Sequence, residues 1–125
     1  MHTHIRPFVE RDADRLVDIL TRNGQFGHPD VEGTAAMRRV ASCDAAVFLV
    51  AEVDGQPEGL VRAVYDGSRA LIHLLSVNPS AQGRGIGRSL VSAVQVAAGV
   101  LFARLSDAQA RDLKETARRS SSSGS

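Results

Sequence analysis

The sequence predicts an α/β fold of the α+β type, in which a mixed, mainly antiparallel sheet packs against helices. Two turn signals, Asp54-Gly55 and Asp66-Gly67, separate three apolar runs and predict a three-stranded antiparallel meander. The third run leads into a glycine-rich segment at 82–87 and then into a segment with a continuous apolar stripe, which predicts a helix. Hairpins followed by a loop and a helix are typical of this fold class.

Composition limits the classes of function. The 125 residues suffice for one domain with a modest core, assigned to 1–118, and the Ser/Gly tail at 119–125 is expected to be disordered. The net charge of +1 argues against nucleic acid or an anionic membrane surface as a partner. The single Cys43 cannot form an internal disulfide, and no apolar run reaches transmembrane length, so a cytoplasmic location is expected.

The first third of the chain predicts one strand and two helices. Thr3–Phe8 alternates as a strand that ends near its proline, and Asp12–Asn23 carries apolar residues between charged ones, as a surface helix does. The segment 25–32 contains glycine and proline and is expected to be a loop. Gly33–Ser42 is expected to form a second, short helix. His2 and His4 are interpreted as part of the strand start and not as a metal site, because no further ligands stand at suitable spacing.

The meander is expected to contain the strands Ala45–Val53, Glu58–Tyr65 and Arg69–Val77. The helix after it carries a stripe at spacings of three and four residues: Ile86, Leu90, Val94, Ala97 and Leu101. Gly99 can end this helix. Residues 100–105 fit either a fifth strand or a continuation of the helix, and a capping-box pattern at 106–109 predicts a last helix to about residue 118.

The glycine-rich segment has the properties of a phosphate-binding loop. Gly83, Gly85 and Gly87 allow positive φ angles and a close approach of a ligand to the backbone. The helix that follows offers free N–H groups and the positive end of its dipole, and Arg84 and Arg88 add full charges. The spacing fits neither a Walker A loop nor a dinucleotide fingerprint.

The spacing that does fit is Gln-x-x-Gly-x-Gly, at Gln82, Gly85 and Gly87, preceded by Leu-Ser-Val-Asn-Pro at 75–79. Together with the helix start Ile-Gly-Arg-Ser-Leu-Val, this resembles motif A of the GNAT superfamily of N-acetyltransferases. The hairpin, loop and helix succession over 45–98 also matches that family in order.

The resemblance implies a sheet of about five strands flanked by about four helices, with acetyl-CoA as the cosubstrate. It implies transfer of the acetyl group to a primary amine of a small molecule or a protein. The expected acetyl-CoA-binding residues are those at the end of the third meander strand and in the glycine loop: Leu75, Ser76, Val77, Gln82, Gly83, Arg84, Gly85, Ile86, Gly87 and Arg88. A strand bulge near Val77 is implied as well, with the backbone N–H there polarising the thioester carbonyl.

Deprotonation of the amine requires a base or a chain of waters. Many family members carry an acid at the position that aligns with Leu71, where this chain has none. His73 lies two residues later, on the same face in a regular strand, and is the candidate catalytic base. Glu58 is a weaker candidate, and Tyr65 as a general acid is weaker still.

The chain also departs from the family pattern. GNAT enzymes usually continue with two more strands, and they often carry an Asn-x-x-Ala segment and a tyrosine near the CoA thiol; this chain has neither the strands nor that tyrosine. A partner subunit could cover the open sheet edge that would result, so a homodimer is one expectation. The alternative function is an acyl-CoA-binding or regulatory module of the same fold. The acceptor is not specified, although Asp30 and Glu32 could attract a cationic amine and could equally be solvated loop acids.

Overall fold

One antiparallel sheet organises residues 2–100, the part of the chain described by this computed structural model. Its strands lie side by side in sequence order: β1 Thr3–Pro7, β2 Ala46–Val53, β3 Gln56–Tyr65 and β4 Ala70–Val77. They confirm the four expected strands to within two residues at each end. The expected strand or helix at 100–105 and the last helix lie outside the described residues, except for Val100, which is helical.

Four helices accompany the sheet. They are α1 Ala13–Arg22, α2 Pro29–Glu32, α3 Thr34–Ala41 and α4, which covers 86–100. The expectation of a plain loop at 25–32 is wrong over its second half, because Pro29 begins α2 and the His28 side chain accepts the Asp30 N–H. Gly99 does not end α4, which continues through it. None of the helices in the described residues is both long enough and apolar enough to cross a membrane.

The helices cover the two faces of the sheet and give two cores. On one face, α4 packs against β2 and β3 through its buried stripe: Ile86, Leu90 and Val94. On the other face, α1 and α3 pack against β2, β3 and the stacked rings of Phe8 and Phe48. The start of α4 lies so close to β3 that a Cβ on Gly59 would come within 3.3 Å of Ile86 and Leu90. This glycine therefore sets how closely α4 approaches the sheet.

Candidate functional site

The glycine loop, residues 82–87, joins a 3₁₀ turn at Pro79–Ala81 to α4. Gly83 and Gly85 have φ angles of +82° and +81°, in the left-handed region where a side chain is strained. Within the described residues, a Cβ added at either position would meet no atom within 4 Å. The loop therefore requires glycine for its backbone shape, and the space beside it is open.

Four N–H groups in this loop and at the start of α4 have no acceptor in the described chain. Among residues 2–100, no acceptor takes the N–H of Gly83, Gly85, Gly87 or Arg88. The last two belong to the first turn of α4, where the helix dipole adds partial positive charge. The N–H and hydroxyl of Ser89 both donate to the Gly85 oxygen, at 3.0 and 3.1 Å, and fix where the helix begins. The arrangement is a donor set suited to anionic oxygens.

The structure brings the predicted acetyl-CoA-binding residues together at one end of the sheet, but their side chains differ in availability. Ile86 and Ser76 are buried, the first in the core beneath α4 and the second against Asn23, whose amide donates to its hydroxyl over 2.6 Å. Only their backbone groups can therefore contact a ligand. Arg84 and Arg88 are exposed beside the loop.

The outer edge of β4 carries further backbone donors. The Asn78 N–H bonds to the Glu58 oxygen of β3, so the alternate residues Leu75 and Val77 direct their N–H and C=O groups away from β3. The carbonyl oxygen of Leu75 accepts from the Gln25 amide at 3.2 Å. That of Val77 accepts from the amides of Asn23 at 2.8 Å and Gln82 at 3.0 Å. Within residues 2–100, the N–H groups on the same edge are the donors left for a ligand.

A strand bulge is present in β4, but not at the position expected. The eight residues of β4 face seven of β3, with Arg62 opposite Leu74 and Ala63 opposite Ile72, so the extra residue is His73. The position expected for the bulge, near Val77, is therefore four residues further along the strand than the observed one. Between Leu75 and Val77 the pairing with β3 is regular, and it keeps the side chains of these two residues packed on the core. The alternation that was to place His73 on the face of Leu71 is interrupted there.

Glu58 also lies at a bulge, the extra residue of β3 against β2. Both of its carboxylate oxygens are engaged: one accepts from Arg15 at 3.1 Å and the other from the Asn78 amide at 2.8 Å. Asn78 is 2% exposed and its own N–H donates to the Glu58 backbone oxygen. This group links α1, β3 and the end of β4, and the geometry indicates a structural role for Glu58 and not that of a base.

The remaining candidates lie apart from the loop or are engaged elsewhere. Tyr65 is buried at the far end of β3, and its hydroxyl has no partner among the described residues. Asp30 is highly exposed, and Glu32 accepts the His28 N–H over 2.8 Å. An apolar cavity of about 410 Å³ lies beside Phe48 and α4, and neither the glycine loop nor β4 contributes to its lining.

Several residues of this site were not predicted from the sequence. Asn23 and Gln25 follow α1 and contact β4 about fifty positions later, and Arg62 lies next to the bulge across from Leu74. Polar residues at a helix end and a lone arginine in a strand carry no motif, so no local signal indicated these three.

Comparison with known proteins identifies similar chains. The sequence model of the acetyltransferase (GNAT) domain matches residues 44–119. An acetyltransferase of Photorhabdus laumondii is 32% identical over 91 residues, which are 73% of this chain and 63% of that protein. The chain therefore spans less than two thirds of the length of this relative.

Solved structures share the fold. The PaiA N-acetyltransferase of Thermoplasma acidophilum, in complex with coenzyme A, superposes with a TM-score of 0.69 at 14% identity, covering 79% of this chain and 73% of that one. The aminoglycoside 6′-N-acetyltransferase AAC(6′)-Ih of Acinetobacter baumannii has a TM-score of 0.62 at 23% identity, covering 78% and 72%. The four-stranded sheet and its helices therefore have the arrangement seen in these proteins.

Proposed function

The chain belongs to the acetyltransferase (GNAT) family, and from that premise we propose that it transfers an acetyl group from acetyl-CoA to a primary amine of a small molecule or a protein. The observation that carries the proposal is that, within residues 2–100, no acceptor takes the N–H groups of Gly83, Gly85, Gly87 and Arg88, which lie at the start of α4 and include two left-handed glycines. Coenzyme A in the Thermoplasma protein and the acetyltransferase name of the Photorhabdus relative support the same assignment.

The residues present fit the pyrophosphate of acetyl-CoA. The N–H groups of Gly83, Gly85 and Gly87 would bind its oxygens, and the open space beside the first two glycines admits them without a clash. Arg84 and Arg88 add positive charge at the same place. The outward N–H groups of β4 would hold the pantetheine arm and the acetyl carbonyl.

The reaction then requires that the protein hold the acetyl group and the amine close together and accept the amine proton. Acetyl-CoA supplies an activated acetyl group; the amine nitrogen bonds to the acetyl carbon, the carbon–sulfur bond breaks, and CoA leaves as the thiolate, which then takes up the proton that the amine has given to the base. The N–H of Leu75 or Val77 would donate to the carbonyl oxygen as negative charge develops on it. The amine proton would pass to His73, which is exposed at the β4 bulge next to this edge.

A second candidate is an acyl-CoA-binding or regulatory module without turnover. It is favoured by Leu71, which stands where many family members carry an acid and is 45% exposed. It is also favoured by Glu58, whose two carboxylate oxygens are bound within the fold. In this reading the glycine loop keeps its ligand, but no side chain removes the amine proton.

Two measurements separate the candidates. Calorimetric titration with acetyl-CoA and with CoA tests the loop, and micromolar affinity for both is the result the proposal requires. Release of free CoA thiol is then measured with a panel of amines under conditions that saturate the protein with acetyl-CoA. Amine-dependent release supports the transferase, whereas tight binding without release supports the module. Failure to bind either ligand at millimolar concentration would contradict both.

The acceptor, a cytoplasmic location and assembly as a homodimer all remain predictions. In the described residues β4 is the last strand of the sheet, and Leu71 and Ile72 on it are 45% and 43% exposed. These exposed apolar side chains would support pairing of two copies through this strand, which sedimentation of the full chain can test.

A further inference from the structure

We infer that the acceptor is an amine that also carries a carboxylate, and that Arg62 binds this carboxylate. The inference rests on the proposed function, since it names the acceptor class for the same reaction. Arg62 is a charged residue of β3 whose register partner, Leu74, directly precedes Leu75 on the edge where the acetyl group would lie.

Arg62 faces the reacting edge across one strand spacing. Its register partner is Leu74, which lies between the bulged His73 and Leu75, so the two Cα atoms are about 5 Å apart. On its other side Arg62 pairs with Phe48, and the guanidinium lies over that ring at 5.8 Å from its centre. The side chain therefore occupies the sheet face that carries α1 and α3, beside the strand that would hold acetyl-CoA.

The charge of Arg62 is incompletely satisfied in the described chain. Among residues 2–100, no carboxylate comes within 4.0 Å of the guanidinium, and its Nη1 donates to the Val31 oxygen at 3.1 Å. Its Nε is buried without an acceptor among the same residues. Burial lowers the pKa of Arg62, with the charge of Glu32 acting in the opposite direction. A partly buried guanidinium without an ion pair is costly, and an incoming anion would relieve that cost.

The neighbouring acid does not serve as the partner. Glu32 directs its Oε2 to the His28 N–H, 2.8 Å away, and remains beyond ion-pair distance of Arg62. The positive charge of Arg62, on the same side of the sheet, opposes the attraction of a cationic amine by Asp30 and Glu32. A carboxylate has the planar, two-oxygen shape that the guanidinium fork binds best. A zwitterionic acceptor such as an amino acid supplies both the nucleophile and this group.

The approach to Arg62 is from the start of β4. Val64 lies two residues after Arg62 on β3, and its register partner on β4 is Leu71; both side chains are exposed. The sheet surface beyond Arg62 is therefore open to solvent and apolar. An acceptor lying on this surface would place its carboxylate at Arg62 and its amine towards the edge of β4.

The test compares a set of L-amino acids with their carboxamides, using acetyl-CoA at saturation and kcat/KM for each acceptor. Arg62→Met keeps the aliphatic stem but removes the charge, Arg62→Lys keeps a charge without the fork, and Arg69→Met removes a nearby exposed arginine as the matched control. We expect Arg62→Met to lower kcat/KM for the acids about tenfold or more while changing that for the amides less than about twofold. Arg62→Lys should fall between, and Arg69→Met should resemble the wild type.

The outcomes separate the inference from its premise. Melting temperature and acetyl-CoA affinity are measured for each variant. If Arg62→Met fails to fold, the comparison of acids with amides is made with Arg62→Lys instead. Equal losses for acids and amides, or none for either, would overturn the role of Arg62 while leaving the transferase intact. If the wild type binds acetyl-CoA but acetylates neither kind of amine, the proposed function itself fails and this inference fails with it.

Discussion

The side-chain amide of Gln82 donates to the backbone oxygen of Val77 over 3.0 Å, and so ties the glycine loop to the end of β4. The amide of Asn23 donates to the same oxygen over 2.8 Å. The Gln82 amide nitrogen also donates to the Asn23 side-chain oxygen, 3.4 Å away. The Val77 carbonyl is therefore held by two donors. Because the N–H of Val77 lies on the same edge, these amides fix the direction of a backbone group that we propose contacts the acetyl carbonyl.

Gln82→Ala should weaken acetyl-CoA binding without unfolding the protein. The substitution removes the tie to Val77, and we expect the dissociation constant to rise about tenfold, which corresponds to about 1.4 kcal/mol. The melting temperature should change little because Gln82 is exposed. Calorimetry measures the affinity, and Ser80→Ala, an exposed change in the preceding turn, is the control. Wild-type affinity in the Gln82 variant would show that the tie does not shape the site.

His73→Ala should reduce the chemical step and leave binding intact. If the imidazole takes the amine proton, kcat should fall about a hundredfold, while the affinity for acetyl-CoA remains that of the wild type. His73→Gln is the companion variant, because it keeps a polar side chain at the bulge but cannot act as a base. Partial recovery of kcat by added imidazole would be specific for proton transfer. An unchanged kcat in both variants would assign His73 to the surface.

Asp12 should make folding stability sensitive to acid. Burial raises its pKa, but hydrogen bonds from Arg6 and the Val9 N–H, with the charge of Arg6, outweigh this, and the pKa lies below its ordinary value near 3.8. The carboxylate therefore stabilises the fold at pH above that value, and the stabilisation is lost as the pH falls through the folded-state pKa.

The variant Asp12→Asn isolates this effect. At neutral pH we expect a loss of about 2–3 kcal/mol in the free energy of unfolding, less than for a fully buried pair because Arg6 is 14% exposed and keeps Glu52 at 3.5 Å. The difference from wild type should shrink below pH 4. Urea unfolding between pH 3 and 7 measures it, with the exposed Asp14→Asn as the control. A difference that is constant with pH would contradict the assignment.

Asn78→Ala should destabilise the fold by about 1–3 kcal/mol, because it leaves one oxygen of Glu58 without its donor in a buried setting. Thermal unfolding measures the loss. The double variant Asn78→Ala with Glu58→Gln should lose less than the sum of the single changes, since the two side chains are partners. Strict additivity would mean that the contact between them contributes nothing.

The regular part of the fold was predictable because it is encoded locally. Asp54-Gly55 forms the expected hairpin turn, with both residues at positive φ, and the alternating apolar runs on either side form β2 and β3. The spacing Ile86, Leu90 and Val94 forms the buried stripe of α4. These signals act within a few residues of one another, and a single sequence contains them.

The site was predictable only where it uses backbone. The glycine loop follows from residue types that permit one unusual conformation, and the structure places it at the end of β4. The bulge at His73 was not predictable, because an extra residue in one strand depends on how both strands pack. The contacts of Gln25 and Arg62 with segments far away in sequence depend on the assembled fold in the same way.

The most direct test of the central claim is the affinity for acetyl-CoA of Gly85→Glu beside that of Gly55→Glu. The two glycines have φ angles of +81° and +86°, and a Cβ on either meets no described atom within 4 Å, so the substitutions impose similar strain and charge. Gly55 lies at a hairpin tip away from the loop. We predict micromolar binding for the wild type and Gly55→Glu, and a loss of at least a hundredfold for Gly85→Glu with a similar melting temperature. Equal affinity in the two variants would contradict the assignment of the glycine loop as the acetyl-CoA site.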